Sequence, residues 1–122
     1  MEVRMLECRI INGHPWSIGC GDPNPSKRGE DAALMSDLPV EIQHKVSDWI
    51  FGKLWKRNTP NYDHDSYELK HRIENELGIY LTNNQMKDAM LQEGFNPVKE
   101  NELNWHFYIS QNSPAFKPIT IR

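Results

Sequence analysis

Several features by which a function is often recognised are missing from this sequence. No apolar run approaches the roughly 20 residues that are needed to span a bilayer. The first residues, MEVRMLECRI, lack the basic start and the long apolar stretch of a secretory signal. We therefore expect a cytosolic protein that has no membrane partner.

An excess of basic charge is missing as well. The chain has 14 lysines and arginines against 17 aspartates and glutamates, a net charge of −3, and no stretch of it is strongly basic. Binding to duplex nucleic acid draws most of its affinity from cations placed against phosphates. A protein is therefore the expected partner, and DNA is the less favoured one.

Motifs of catalysis are missing too. The sequence has no glycine-rich phosphate loop, no nucleophile elbow around a serine and no pair of histidines spaced for one helix face. No feature around Cys20 identifies it as an activated nucleophile. We expect a binding protein and no enzyme.

Cysteine is scarce, with Cys8 and Cys20 alone, each separated from His14 by five residues. In a reducing cytosol such cysteines are free thiols or metal ligands more often than a disulfide. A hairpin that turns within residues 12–16 would bring both cysteines together with His14 at its tip, which makes zinc a candidate cofactor. A fourth ligand could come from His64, His71, His44 or Asp22. The common pair of cysteines two residues apart is absent, and a cysteine that is simply a small buried hydrophobe is the alternative.

What the sequence does have is an ordinary globular composition, with 38% hydrophobic and 25% charged residues. Residues 1–35 are predicted to form a β-hairpin over 4–20, turning at Asn12-Gly13, followed by a loop rich in proline and glycine. Residues 36–122 are predicted to form a second domain with an extended C-terminal tail.

The first predicted helix of this second domain runs from about Pro39 to Lys56. Proline suits the first turn of a helix, where its missing N–H would have no partner. One apolar face recurs at helical spacing, formed by Ile42, Val46, Trp49, Ile50 and Leu54. The segment KRNTPNY is predicted to close the helix, since Pro60 cannot continue it.

Two more helices have sharp predicted ends. Capping boxes, in which an N-cap side chain pairs with a residue three positions later, predict helix starts at Asp65-x-x-Glu68 and Thr82-x-x-Gln85. Gly78 and Gly94 supply their C-terminal stops. The inward face of the last helix is expected to hold Met86, Ala89 and Met90.

After Phe95 the apolar period changes from helical spacing to alternation. Trp105, Phe107 and Ile109 alternate with polar neighbours, so residues 103–110 are predicted to be a strand that pairs with 96–99 as a hairpin. Residues 79–81 read as a very short β-prone connector. The predicted fold is α+β: an N-terminal β-hairpin, then a tri-helical winged-helix-like module with a C-terminal β-hairpin wing. Another small α+β domain with the same element order is the alternative.

Segments within residues 66–110 carry a resemblance to a known group of proteins. They are YELKH, GIYLTN, MKDAM, GF and NWHFYIS. They resemble small proteins of bacteriophages and mobile elements from Gram-positive bacteria, and similar winged-helix tails close some phage primase-helicase proteins. The resemblance implies a phage or prophage origin, the cytoplasm of a bacterial host and a winged-helix fold, and it has no catalytic signature.

Small phage proteins of this kind include anti-CRISPR inhibitors. The expected partner is then a host defence protein such as a Cas9-type nuclease, whose engagement of nucleic acid would be blocked. An acidic balance suits a basic partner surface. The expected contact residues are outward acidic positions and two aromatic anchors: Asp88, Glu93, Glu100, Glu102, Tyr108 and Trp16.

The alternative function is a winged-helix DNA-binding regulator or a replication-associated phage protein. It would place the helix after Thr82 in the major groove, with polar residues such as Asn84, Gln85 and Lys87 outward. Residues 82–95 carry one lysine against Asp88 and Glu93, so this face would meet phosphate with a net negative charge.

Two further clusters receive a structural interpretation. Lys53, Lys56 and Arg57 surround Trp55 and could hold phosphate or an acidic protein surface. We interpret them instead as cations favoured by the dipole at the end of the first helix, an effect of about 0.3–1 kcal/mol. The run Asp63-His64-Asp65 is interpreted as a polar loop that leads into the helix cap.

Overall fold

A computed structural model describes residues 8–11, 14–17 and 34–117. Strands β1 (Cys8–Ile11) and β2 (His14–Ser17) pair antiparallel, with two residues between them, so the predicted N-terminal hairpin is confirmed. The predicted loop over residues 21–31 and the last part of the predicted extended tail, residues 118–122, lie outside the described residues. The division of the chain near residue 35 stays a prediction.

Helix α1 runs from Val40 to Lys53 and is shorter than predicted. Pro39 is its N-cap residue, and the helix buries Val46, Trp49 and Ile50 on the predicted apolar face. It ends before Lys56 because Leu54 adopts an extended conformation (φ −119°, ψ 125°) after its N–H has closed the last hydrogen bond, to the Ile50 carbonyl.

Strand β3 (Lys56–Asp65) occupies the segment that was predicted to be a helix-closing loop. It pairs antiparallel with β4 (His106–Ile109), with Lys56 opposite Ile109 and Asn61 opposite Phe107. The register shifts between these two pairs, and Pro60 lies within the shifted stretch. Its missing N–H therefore does not interrupt a regular ladder.

The predicted wing hairpin is wrong in its main pairing. Its first arm, residues 96–99, contributes one bridge, Pro97 opposite Phe107, and Val98 N–H donates to the His106 carbonyl at 2.8 Å. The main partner of β4 is β3, which precedes it by about 50 residues in the chain. Residues 79–81 form no strand.

Helices α2 (Ser66–Leu77) and α3 (Asn83–Gln92) begin and end close to the predicted positions. The Asp65 carboxylate accepts from the Glu68 N–H at 2.9 Å, and Gly78 ends α2 in the left-handed conformation at φ 68°. The capping box of α3 is complete, with both Thr82–Gln85 hydrogen bonds at 3.0 Å. The Glu68 side chain does not return to Asp65; it binds His64 and Arg72 instead.

The core lies where the three helices meet β4. Its fully buried side chains include those of Trp105, Phe107 and Ile109, whose predicted alternation is confirmed. Each such side chain contributes about 1.5–3 kcal/mol through burial. The helices add Val46, Ile50, Leu69, Ile73, Met86 and Met90. The chain is thus an α+β protein, and among the residues described no helix has the length and apolarity to cross a membrane.

Candidate binding surface

The first predicted contact residue, Asp88, is not at the surface. Its side chain is fully buried, and its carboxylate accepts from the Met35 N–H at 2.9 Å. The expectation of an outward Asp88 is wrong because residues 34–37 lie against this side of α3. A buried carboxylate with a backbone donor stabilises the fold and is not available to a partner.

The remaining predicted contact residues fall into separate places. Tyr108 lines one cavity and Glu93 lines a neighbouring one, and Lys56 and Phe95 line both. Glu100 and Glu102 lie in the loop before β4, where the Glu100 carbonyl accepts from the Trp105 indole at 2.9 Å.

Trp16 lies in β2 opposite Arg9, and its side chain is outside the description. The contacts of the described residues do not join the predicted positions into one acidic surface.

The hairpin register bears on the predicted zinc site. Cys8 lies opposite Ser17 and His14 opposite Ile11, so three ladder steps separate the two candidate ligands. At about 3.3 Å per residue that is about 10 Å of backbone. A turn as long as residues 12–16, the condition given for this zinc site, is not found, because Pro15 and Trp16 belong to β2. Cys20 and Asp22 lie outside the described residues, and zinc stays a prediction.

The other histidines that were considered as zinc ligands do not lie around a common point. His64 Nδ1 lies 2.7 Å from Glu68 Oε1, and His71 Nδ1 lies 3.2 Å from Glu74 Oε1. His44 is exposed on α1. Within the described ranges no group of three His, Cys, Asp or Glu side chains is arranged to hold a metal.

Helix α3 is buried on the side from which a DNA-reading helix would have to project. Asn84, Gln85 and Lys87 are all buried. The Lys87 Nζ lies 4.8 Å from the centroid of the Trp105 ring and 3.4 Å from the Glu102 carbonyl oxygen. The predicted outward orientation of these three residues is therefore wrong, since contacts from distant parts of the chain cover them, whereas Gln92 at the end of the helix is exposed as predicted.

A different surface does hold solvent-accessible binding groups, at the junction of α1 and β3. Phe51 on the last turn of α1 is 82% exposed, and Trp55 between α1 and β3 is 53% exposed. The backbone of Trp55 is fixed by the turn after β4: its N–H donates to Ser113 Oγ at 2.8 Å, and its carbonyl accepts from Ser110 N–H at 2.7 Å. The fold thus holds an apolar ring in water.

A cleft of about 430 Å³ lies beside Trp55 at the start of β3. Apart from Gly94, its described lining residues can donate hydrogen bonds or pack against a planar group: Lys56, Arg57, Asn58, Phe95, Asn96 and Tyr108. No carboxylate occurs among them. Such a lining favours an anionic group.

A second, more apolar groove of about 300 Å³ continues from this cleft. It is lined by Phe51, Leu54, Trp55, Lys56, Glu93 and Phe95. Lys56 and Phe95 belong to both cavities, so the two form one continuous surface. We name Phe51, Trp55, Lys56, Arg57, Phe95 and Tyr108 the aromatic–basic surface.

The two cations of this surface are held in defined positions. Arg57 donates from Nε to the Thr59 carbonyl at 2.9 Å and from Nη2 to the Pro60 carbonyl at 2.7 Å. The Lys56 Nζ lies 5.3 Å from the centroid of the Phe95 ring. Across the described part of the chain, neither cation forms an ion pair with a carboxylate.

The helix-dipole interpretation of these cations is wrong for two of the three. Helix α1 ends at Lys53. The two later cations, Lys56 and Arg57, therefore belong to β3, where no helix terminus favours a cation. Lys53 remains on the last turn and is 3.2 Å from Glu76 Oε1.

Phe51 was not placed on any predicted surface. The sequence held one signal for it: a large aromatic residue that does not belong to the apolar face of α1.

The polar run before α2 also has a defined structure. His64 is buried in β3 and not in a loop, and its ring stacks on Phe116 at 3.6 Å between centroids. Arg72 donates to both Glu68 carboxylate oxygens at 3.0 Å and to the Ala115 carbonyl at 2.9 Å. We name His64, Glu68, Arg72 and Phe116 the tail clamp.

The carboxylate of the tail clamp is electrostatically stabilised. Burial alone would raise the pKa of Glu68, but hydrogen bonds from Arg72 and His64, together with their positive charge, lower it below its ordinary value of 4.5. The clamp therefore holds residues 114–116 against α2 through a charged group.

Comparisons with protein-family models, with curated proteins and with solved structures find no match for this chain. The fold and the surface define a small α+β protein with an exposed aromatic–basic surface. Its function is inferred from the chemistry of that surface.

Proposed function

We propose that this chain is a non-catalytic binding protein that recognises a partner protein through the aromatic–basic surface. The observation that carries the proposal is the exposure of Phe51 and Trp55 beside a cleft that holds two cations and no described carboxylate. Aromatic residues and arginine are the side chains that dominate the binding energy of protein interfaces. Leaving two large rings in water has no benefit for folding.

More particularly, we propose that the protein inhibits a host defence nuclease of the Cas9 type in the cytoplasm of a bacterial host. The resemblance of residues 66–110 to small phage proteins favours this form. Binding would block the engagement of nucleic acid by the nuclease. The contacts would be made by the aromatic–basic surface, in place of the dispersed acidic positions and the buried Asp88.

A winged-helix arrangement is part of this proposal. Three helices, a short connection between α2 and α3, and a strand pair to which Pro97 adds one isolated bridge at Phe107 are compatible with it. The burial of Asn84, Gln85 and Lys87 gives α3 the role of a scaffold. A regulator that reads DNA with this helix is correspondingly less supported.

Co-purification with a Cas9-type effector, followed by a DNA cleavage assay, tests the proposal. We expect the tagged wild-type protein to retain the effector and to inhibit cleavage, and Phe51→Ser or Trp55→Ser to weaken binding by about tenfold or more. Tyr62→Ser is the matched control, because Tyr62 is 64% exposed and lines neither cavity. Wild-type protein that neither retains the effector nor inhibits it contradicts the nuclease form.

A further inference from the structure

We propose that the partner segment bound by the aromatic–basic surface is an acidic peptide segment with a large apolar side chain beside its carboxylates. The carboxylates would enter the cleft at Lys56 and Arg57, and the apolar side chain would lie in the groove beside Phe51 and Trp55. This inference rests on the proposed function, because it names the partner chemistry of the same surface.

The charge of the described cleft lining is opposite in sign to the net charge of the whole chain. The molecule has a net charge of −3, yet the described lining of the cleft contains two cations and no carboxylate. Neither cation has an ion-pair partner among the described side chains, so their charge is available to a ligand. Charged groups across an interface are arranged so that opposite potentials meet. The described lining of the cleft thus matches an anionic partner although the whole chain is acidic.

The cleft also presents hydrogen-bond donors to a ligand. Two hydrogen bonds to backbone carbonyls occupy Nε and Nη2 of Arg57, which fixes the guanidinium and leaves Nη1 for an incoming acceptor. Lys56, Asn58, Asn96 and the Tyr108 hydroxyl add further donors around the same space. Charge-assisted hydrogen bonds to carboxylate oxygens are about twice as strong as neutral ones. A carboxylate is therefore a well-matched acceptor here.

An apolar groove adjoins the cleft. Lys56 and Phe95 line both the groove and the cleft, and Phe51 and Trp55 add exposed rings to the groove. An anionic group alone would leave these rings in water. A peptide satisfies both halves of the surface, because neighbouring residues can supply a carboxylate and an apolar side chain.

A single strand of nucleic acid also combines anionic and planar groups, but it fits less well. Its phosphates recur at every nucleotide, so a strand that continued from the cleft along the groove would meet Glu93, whose carboxylate accepts from Ser47 Oγ at 2.6 Å. Strand-binding grooves follow the backbone with continuous positive charge. Two cations followed by a glutamate match an acidic run that ends in an apolar residue.

Selection from a random twelve-residue peptide display library on the purified full chain tests this inference. We expect enriched peptides to carry Asp or Glu beside Leu, Ile, Phe or Trp. A selected peptide should bind Lys56→Gln/Arg57→Gln at least about tenfold more weakly than wild type and should be displaced by salt, because the contact is electrostatic. Lys45→Gln/Lys117→Gln is the control pair, since it removes the same charge outside both cavities.

The opposite results are equally definite. Enriched peptides without acidic residues, or the absence of any consensus, would overturn the inference. So would tight binding of fluorescein-labelled dT15 that is lost in the same double variant, or a dimer of the chain in sedimentation that is lost in Phe51→Ser. If the peptides fail while Phe51→Ser still loses the effector, the proposed function stands and the acidic segment alone is wrong.

Discussion

At the scale of single residues, the carboxylate of Asp88 does structural work. It is fully buried on α3 and accepts the Met35 N–H, a contact between parts of the chain that are 53 residues apart. Removing a buried charged acceptor leaves its donor unsatisfied in the interior. The position therefore links residues 34–37 to the helical core.

The first prediction concerns this residue. We expect Asp88→Ala to lower the free energy of unfolding by about 2 kcal/mol, because a buried backbone donor loses its charged acceptor. Urea unfolding followed by circular dichroism measures the change. Asp48→Ala is the control: it removes an exposed carboxylate from α1, and such surface changes are usually within about 0.5 kcal/mol. Equal stability of the two variants would contradict a structural role for Asp88.

A second residue-scale prediction uses three glycines whose surroundings differ. Gly94 has φ +85°, and an added Cβ would lie 2.8 Å from the Lys56 Nζ; Gly78 has φ +68° and open space; Gly52 lies in α1 with open space. We expect Gly78→Ala to lower the free energy of unfolding by about 1 kcal/mol, because alanine is strained in the left-handed conformation. Gly94→Ala should cost the same and also displace Lys56, so it should weaken partner binding.

Gly52→Ala is the reference for both, with a gain of up to about 1 kcal/mol expected from helix propensity. Thermal unfolding separates the three stabilities, and peptide affinity separates Gly94→Ala from Gly78→Ala. If both variants bind the selected peptide as wild type does, the position of Lys56 does not matter for recognition.

At the scale of elements, the tail clamp joins β3, α2 and the C-terminal 3₁₀ turn at Pro114–Phe116. Phe116 lies between the stacked His64 ring and the Arg72 guanidinium, which is 5.1 Å from its centroid. The Glu68 carboxylate binds both the His64 ring and the Arg72 guanidinium, so it keeps the two groups beside Phe116 in place. The clamp is therefore an electrostatic connection from the consecutive elements β3 and α2 to a 3₁₀ turn that is distant from both in the chain.

The third prediction is a pH dependence of this clamp. The pKa of Glu68 is lower in the folded state than in the unfolded one, so the unfolded state binds more protons and the contribution of Glu68 is present above its ordinary pKa of 4.5. We expect the stability difference between wild type and Glu68→Gln to shrink as the pH falls from about 5.5 to about 3. Urea unfolding across this range measures it. The difference should stay constant if the Glu68 charge is irrelevant, and Asp48→Asn controls for general charge.

Elements with local signals were predictable from the sequence. The Thr82–Gln85 capping box, the Asp65 cap and the left-handed Gly78 all depend on residues within one helical turn, and each was found as predicted. Strand β3 has no such signal, because Lys56–Asp65 lacks an alternating pattern and contains Pro60. Its pairing with β4 is a contact between distant segments, which a local pattern does not reveal.

Only some residues of the aromatic–basic surface were predicted from the sequence. The basic cluster around Trp55 was identified, but the expected longer helix assigned Lys56 and Arg57 to a dipole effect. Tyr108 was identified as an anchor, whereas the exposure of Phe51 depends on where α1 packs. The outward role assigned to Asp88 failed because a polar residue on a helix is normally exposed, and here residues 34–37 cover it.

At the scale of the whole molecule, the distribution of charge and the burial of polar residues disfavour duplex DNA as the partner. The chain is acidic overall, four polar residues of α3 (Asn84, Gln85, Lys87 and Asp88) are buried, and two cations of the aromatic–basic surface are concentrated in one cleft. Duplex DNA requires cations distributed along several phosphates. An interface with a protein segment needs a small number of anchors instead.

The fourth prediction follows from this distribution. We expect the full chain to give no retarded band with a 30-base-pair duplex of random sequence at 150 mM salt, and weak retardation at most at 50 mM, since a binder with six to ten phosphate contacts loses about 10³–10⁵ in affinity between 50 and 200 mM. A gel-shift titration measures this. Lys56→Gln/Arg57→Gln should leave the result unchanged at 150 mM. A band that persists at 150 mM and disappears in this double variant would make the cleft a phosphate site and would contradict the preference for a protein partner.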